Sequence, residues 1–315
     1  MYSTEIPAHI THRAKSLPYV ISEIKLVCGD ASPRQYYRLI TPTKTLILMY
    51  QDPATGTHEK FIYASKHLFS LPIPKIHYSD LSSGILVVED LGHFTLFDYA
   101  VNTANHTKLS IYKKAIDELI RLQELSKEGT FPVYNQNILE KELNLFSDWY
   151  KNRTLNSSEK TLWTGFKSLI IDNSISQKKV YVHRDFHSRN LMVQDEAIGI
   201  LDFQDALYGP YTYDLVSLLK DVYIELETDL ANELLTYYFR QATAKNIVLD
   251  IDFNTFVKDF DLMGLQRHLK ILGLFFRLHI RDKKSKYLQN IPLTSKYIKS
   301  VAVKYPNLLE LNTLL

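Results

Sequence analysis

The spacing of apolar positions changes along this chain. Ile24 to Cys28, Gln35 to Ile40 and Thr45 to Tyr50 are short runs rich in β-branched and aromatic residues, with turn residues between them, and they predict strands. Glu59 to Phe69 has helical spacing and is closed by Leu71-Pro72-Ile73-Pro74. Lys75 to Ser79 and Ile85 to Glu89 predict two more strands around Ser82-Ser83-Gly84. From Gly92 to about residue 175 the period is helical; short strands then return briefly, and the remainder is helical again. The predicted class is α+β, with a small antiparallel-sheet lobe over residues 1–91 and a mainly helical lobe over 92–315. No Pro-, Gly- or Ser-rich linker divides them, so a short hinge near Val88 to Gly92 is expected.

The returning strands carry the chemistry. Lys179 to His183 reads as a strand, and Leu191 to Gln194 with Ile198 to Leu201 reads as a hairpin around Asp195-Glu196-Ala197. The loop between them holds His183-Arg184-Asp185 and Asn190, and the hairpin ends at Asp202, seventeen residues beyond Asp185. Phosphoryl transfer asks little covalent chemistry of a protein. It needs a base aimed at the acceptor hydroxyl, ligands for magnesium and positive charge around the phosphates. Asp185 fits the base, and Asn190 with Asp202 fits a hard cation that takes its remaining ligands from water and ATP. Asp214, near the start of the apolar run Leu215 to Leu219 and just after the turn signal Gly209-Pro210, is expected to hold the catalytic loop as a buried carboxylate.

Composition narrows the setting. A net charge of +2 over 315 residues implies neither nucleic acid nor an acidic membrane surface as partner. Met1 to Arg13 lacks the apolar stretch of a signal peptide, and no run approaches membrane-spanning length. The single Cys28 excludes an internal disulfide, suits a reducing cytoplasm and reads as a buried structural thiol.

Val182 to Leu219, VHRDFHSRNLM followed by GILDFQDALYGPYTYDLVSLL, resembles the aminoglycoside phosphotransferase-type kinases, whose fold is the two-lobed protein-kinase-like one. Within them the chain is most similar to the bacterial anomeric kinases of N-acetylmuramate and N-acetylglucosamine in cell-wall recycling. Gly29 to Leu39, Leu46 to Met49 with Asp52-Pro53, and Phe260 to Gly273 carry that narrower likeness, which spans nearly the whole chain. The resemblance implies a cytoplasmic monomer that uses ATP and Mg2+ on a small-molecule amino sugar and makes the sugar 1-phosphate. Adenine is expected against the backbone of Glu89, Asp90 and Leu91, walled by Val88 and Leu201.

Three departures stand out. The strand Thr45 to Tyr50 lacks the lysine that kinases set against the phosphates, a feature the anomeric sugar kinases share, and the loop from Gly29 to Arg34 has a single glycine. Ser32 and Arg34 in that loop are the expected phosphate contacts, and Arg34 and Arg38 are the candidate cations. Gln204 stands where many kinases have glycine. On the acceptor side, His187, Arg189 and Asp205 flank the catalytic loop. Gln266, Arg267 and His268 form a polar face on a helix whose buried stripe is Leu265, Leu269 and Leu272. A cation there would pair with the lactyl carboxylate of N-acetylmuramate. Tyr208, Tyr211 and Tyr213 are candidates to stack on a sugar or to fill the core. An aminoglycoside or choline acceptor would use the same catalytic set but calls for an acidic pocket, which Arg189, Arg267 and His268 do not provide. A protein kinase is disfavoured by the lack of a long activation segment after Asp202. A nucleotide-binding pseudokinase would explain the missing lysine but not the intact Asp185, Asn190 and Asp202.

Overall fold

The computed structural model describes residues 6–27, 34–150 and 154–315. Two compact units emerge, Met1–Phe94 with Met192–Asp205, and Thr95–Leu191 with Ala206–Leu315. Their elements are α1 (Ala8–Lys15), β1 (Glu23–Val27), β2 (Gln35–Ile40), β3 (Thr45–Tyr50), α2 (Glu59–His67), β4 (Ile76–Asp80), β5 (Ile85–Glu89), α3 (Leu96–Val101), α4 (Asn105–Glu124), α5 (Gln136–Trp149), α6 (Ser157–Ser176), β6 (Lys179–Val182), β7 (Leu191–Gln194), β8 (Ala197–Ile200), β9 (Leu207–Pro210), α7 (Tyr213–Leu219), α8 (Thr228–Ala244), α9 (Phe253–Ile280) and α10 (Ile291–Ala302).

The first unit is built on an antiparallel sheet in the order β1-β2-β3-β5-β4. Alternate residues point to one face, so Tyr37, Leu39, Leu46, Leu48, Ile85 and Val87 form a single apolar surface. Helix α1 lays Ile10 and Ala14 on it, followed by Leu17. Sequence periodicity did not point to this helix, because eight residues are too few to establish a period. Helix α2 buries Phe61, whose ring meets Phe203 at 4.7 Å. The hairpin β7–β8 turns through Asp195 and Glu196, both with positive φ, as a two-residue loop matching strand twist requires. It is tied into this unit where Val193 N–H donates to the Phe94 carbonyl and Ile200 N–H to that of Pro72.

The second unit is helical around the pair β6–β9. The Gly209-Pro210 turn expected from sequence is instead the end of β9, with Gly209 paired to Val180 and Pro210 to Lys179 at the strand's end. Glycine is needed there because a Cβ would lie 2.7 Å from the Tyr134 side chain. Helix α9 runs for 28 residues and is buried without interruption from Asp259 to Leu269. At Gly273 a Cβ would sit 2.1 Å from the Leu145 carbonyl on α5, so the two helices approach almost backbone to backbone. No helix among the described residues is long and apolar enough to cross a membrane.

Candidate active site

The loop after β6 is held from two sides by buried carboxylates. Asp214, in the first turn of α7, accepts the His183 N–H at 2.5 Å and the Arg184 N–H at 2.9 Å, which is the holding role its position suggested. Burial pushes its carboxyl up to about 6, against the pull of His183 and the two amides. On the other side Asp221 accepts from Ser188 N–H and hydroxyl at 2.9 and 2.5 Å, while its second oxygen takes the Tyr223 N–H. Sequence reading missed Asp221, whose only signal was its place just past an apolar helix. Arg184 has φ +78°, a conformation that costs a non-glycine residue about 1 kcal/mol or more and persists only when its surroundings enforce it.

Asp185 projects from this braced loop and is exposed. Burial of its surroundings would raise its carboxyl, but Lys270, His187, Arg267 and His183 together hold it below the ordinary 3.8. Asn190 donates its amide nitrogen to the Asp185 carbonyl at 3.0 Å. That commits the nitrogen and leaves Oδ1 as its donor atom for a cation.

Beneath the loop lies a polar cluster that the sequence did not reveal. Glu142 of α5 accepts from Arg184 at 2.8 Å, Lys270 at 3.0 Å, Gln266 at 2.9 Å and the Tyr134 hydroxyl. Burial would raise its carboxyl, yet Lys270 and Arg184 keep it below 4.5. Lys270 also donates to the Tyr213 hydroxyl at 3.0 Å. Its partners sit at 134, 142, 184, 266 and 270, and no local pattern joins such distant positions.

The acceptor-side expectations divide. Gln266, Arg267 and His268 do not form a solvated helix face; all three are buried, because α9 is enclosed from Asp259 to Leu269. His268 donates from Nε2 to the Lys220 carbonyl at 2.9 Å and stacks on Tyr297, and burial drives its imidazole down to about 3. It is a neutral core histidine, and the expectation that it meets an acceptor is corrected on that ground. Gln266 is engaged with Glu142, although its Oε1 has no partner. Arg267 is 3 % exposed, and its Nε and Nη1 have no partner. His187 packs edge-on against Tyr223, with Nδ1 buried and unpartnered. Arg189 is stacked over Tyr223 at 3.9 Å and Phe97 at 4.9 Å, which occupies the flat face of its guanidinium. Asp205 lies in the first unit, in an exposed ion pair with Lys60 at 2.9 Å. Tyr211 and Tyr213 are core residues whose hydroxyls meet Asp259 and Lys270, while Tyr208 is half-buried on β9.

In the first unit, Asp202 has φ +61° and accepts from Gln204 Nε2 at 2.6 Å. The glutamine found in place of glycine thus orients the carboxylate beside it. Asn190, in the second unit, and Asp202, in the first, each carry an oxygen donor of the kind a hard cation takes. Among the described residues no three His, Cys, Asp or Glu gather at one point.

The candidate cations also separate. Arg38 was expected near phosphates. Instead its guanidinium donates to Asp90 at 2.6 and 3.1 Å and to the Gly92 carbonyl at 2.7 Å, and it contacts His93. Arg38 is therefore a clamp on the segment after β5. Asp90 is almost wholly buried; burial opposes its charge, but bonds from Arg38, Thr45 and the Gly92 N–H keep its carboxyl below 3.8. The Glu89 N–H is already given to the Lys75 carbonyl, which leaves its carbonyl as the backbone group it could turn to adenine. Arg34 donates to the Gln51 side chain at 3.1 Å, and Tyr36 feels both Arg34 and Asp202. Ser32 and Cys28 lie outside the described residues.

The geometry agrees with what known proteins show. Residues 23–246 match the profile described as the phosphotransferase enzyme family. The N-acetylmuramate/N-acetylglucosamine kinase of Neisseria meningitidis is 35 % identical over 93 % of this chain and 90 % of its own length. That of Pseudomonas putida is 37 % identical over 91 % and 86 %. Among solved structures, the choline kinase of Streptococcus pneumoniae superposes with a TM-score of 0.65 at 14 % identity, covering 94 % of this chain and 98 % of that one. An ADP-bound aminoglycoside phosphotransferase superposes with 0.63 at 13 %, covering 92 % and 96 %. With its sheet unit, its helical unit and a family profile over most of its length, the chain belongs to the phosphotransferase enzyme family and has its protein-kinase-like fold.

Proposed function

We propose that this protein is a cytoplasmic, monomeric kinase that transfers the γ-phosphoryl group of ATP to the anomeric hydroxyl of N-acetylmuramate or N-acetylglucosamine, giving the sugar 1-phosphate. The observation that carries the reading is Asp185, set on a loop braced by Asp214 and Asp221 and surrounded by Lys270, His187 and Arg267, in a chain about one-third identical to kinases named for those two sugars.

Asp185 accepts the proton of the C1 hydroxyl. The cations around it keep the carboxylate ionised at neutral pH, and an anomeric hydroxyl is acidic enough for a modest base. Asn190 Oδ1 and the carboxylate of Asp202 hold magnesium. Bound magnesium supplies charge neutralisation across the phosphate oxygens. Arg34, tethered to Gln51 at the end of β3, takes the place of the strand lysine, with Ser32 in the same loop. The segment clamped by Arg38 and Asp90 presents the backbone for adenine. A cationic acceptor such as choline or an aminoglycoside is disfavoured, because the groups acting on Asp185 are cations and not an acidic pocket.

Phosphorus NMR with ATP, magnesium and, separately, N-acetylmuramate, N-acetylglucosamine, choline and kanamycin tests this. A phosphate resonance coupled to the anomeric proton of a sugar is expected. Phosphorylated choline or kanamycin would overturn the acceptor while leaving the catalytic set in place, and no product from any acceptor would favour a nucleotide-binding role without turnover.

A further inference from the structure

Helix α9 turns one face toward the catalytic loop. Gln266 and Lys270 stand one turn apart on it, and Arg267 is a neighbour of Lys270 at i and i+3. Gln266 and Lys270 are spent on Glu142. Arg267 has no such partner. It is 97 % buried, and among the described residues two of its three nitrogens bond to nothing and it makes no ion pair, although its charge reaches Asp185, His187 and Tyr223. Isolated buried guanidinium groups are costly, and proteins ordinarily answer them with a carboxylate or phosphate held by two parallel hydrogen bonds. Nothing among the described residues provides that answer here. The nearby carboxylate, Asp185, is the one the reaction needs for the acceptor hydroxyl.

We propose that Arg267 binds a carboxylate carried by the acceptor itself, and that it makes the protein select a carboxylate-bearing amino sugar over its neutral counterpart. The inference rests on the amino-sugar reading above and goes beyond it. N-acetylmuramate differs from N-acetylglucosamine by a lactyl ether that ends in a carboxylate, and the planar fork of arginine fits that group where an ammonium would not. Of the remaining unpartnered atoms of the cluster, Gln266 Oε1 and His187 Nδ1 are uncharged, and Arg184 Nε belongs to a guanidinium already paired with Glu142, so a neutral sugar is offered no equivalent of this pairing.

The test is the ratio of kcat/KM for N-acetylmuramate to that for N-acetylglucosamine. In Arg267→Met, which keeps volume and removes charge, the ratio should fall by about 100-fold, the effect of losing one member of a buried charge pair. Arg267→Lys should restore part of it. A check that does not depend on variants folding uses the wild-type protein with the lactyl group as its amide, which should be a poorer substrate than the acid by a similar factor. An amide turned over as fast as the acid overturns the inference. So does an equal loss on both sugars in Arg267→Met, which would mean that Arg267 acts only on Asp185; in either case the amino-sugar reading survives. A wild-type protein that phosphorylates neither sugar removes that reading and this inference with it.

Discussion

At Asp185 burial and charge pull in opposite directions. Four cations or potential cations, on the loop after β6 and on α9, outweigh desolvation, so the carboxylate proposed as the base is held in its ionised form. Asp185→Asn keeps the shape of the side chain and removes the proton acceptor. Turnover should fall by about a thousandfold or more, within the range general bases contribute, while the thermal midpoint and nucleotide affinity stay close to wild type. Near-normal turnover would refute the base assignment. Asp185, Asn190 and Asp202 could be proposed from sequence because their spacing along the chain is itself the pattern. The buried state of Gln266, Arg267 and His268 was not. Periodicity separates inside from outside only on a helix that has an outside, and this part of α9 has none.

Elements in this protein are fastened at a few close contacts. The Arg38–Asp90 pair joins β2 to the segment after β5 and is nearly removed from water. Arg38→Ala would strand a buried carboxylate and should cost about 3 kcal/mol, seen as a lower urea midpoint. Adding Asp90→Ala should cost much less than the sum of the two single changes, and full additivity would show that the pair is not coupled. Gly273 is a fastening of another kind. With the Leu145 carbonyl where its Cβ would go, Gly273→Ala must push α9 off α5 and should destabilise by about 2 kcal/mol or more. A melting temperature equal to wild type would mean that the helices slide apart freely. β2, β3 and β5 fall where their short apolar and aromatic runs placed them; β2 alternates between a buried and a mixed face, whereas β5 is buried on both. β9 escaped because Gly-Pro, a common turn, here serves a strand end packed against Tyr134.

For the molecule as a whole, the buried acids set its response to pH. Asp90, Glu142 and Asp261 have native carboxyls below their ordinary values of 3.8, 4.5 and 3.8, against burial, because Arg38, Lys270 with Arg184, and Lys220 with Lys304 stand beside them. Each contributes stability that is present in full above its ordinary value and is lost as pH falls through the lowered one. Asp214, pushed up to about 6, has the opposite sign: its contribution is full below 3.8 and lost as pH rises through about 6. The thermal midpoint should therefore rise slightly as pH is lowered from 7 toward 5, then fall steeply below about 4. Asp214→Asn should remove the rise and leave the fall, and a midpoint that climbs all the way into acid would contradict the pairing of all three acids.

The enclosure of α9 bears on how such a protein changes its substrate over evolutionary time. Many enzymes alter specificity in surface loops, where insertions and replacements are tolerated and the framework is spared. Here Gln266, Arg267 and Lys270 belong to the framework, and any replacement must also fit among tightly packed neighbours and keep the buried charges matched. New acceptors would be reached by few mutational routes, most of them passing through less stable intermediates. Lineages that inherit this helix should therefore drift widely in their loops while their choice of acceptor stays fixed.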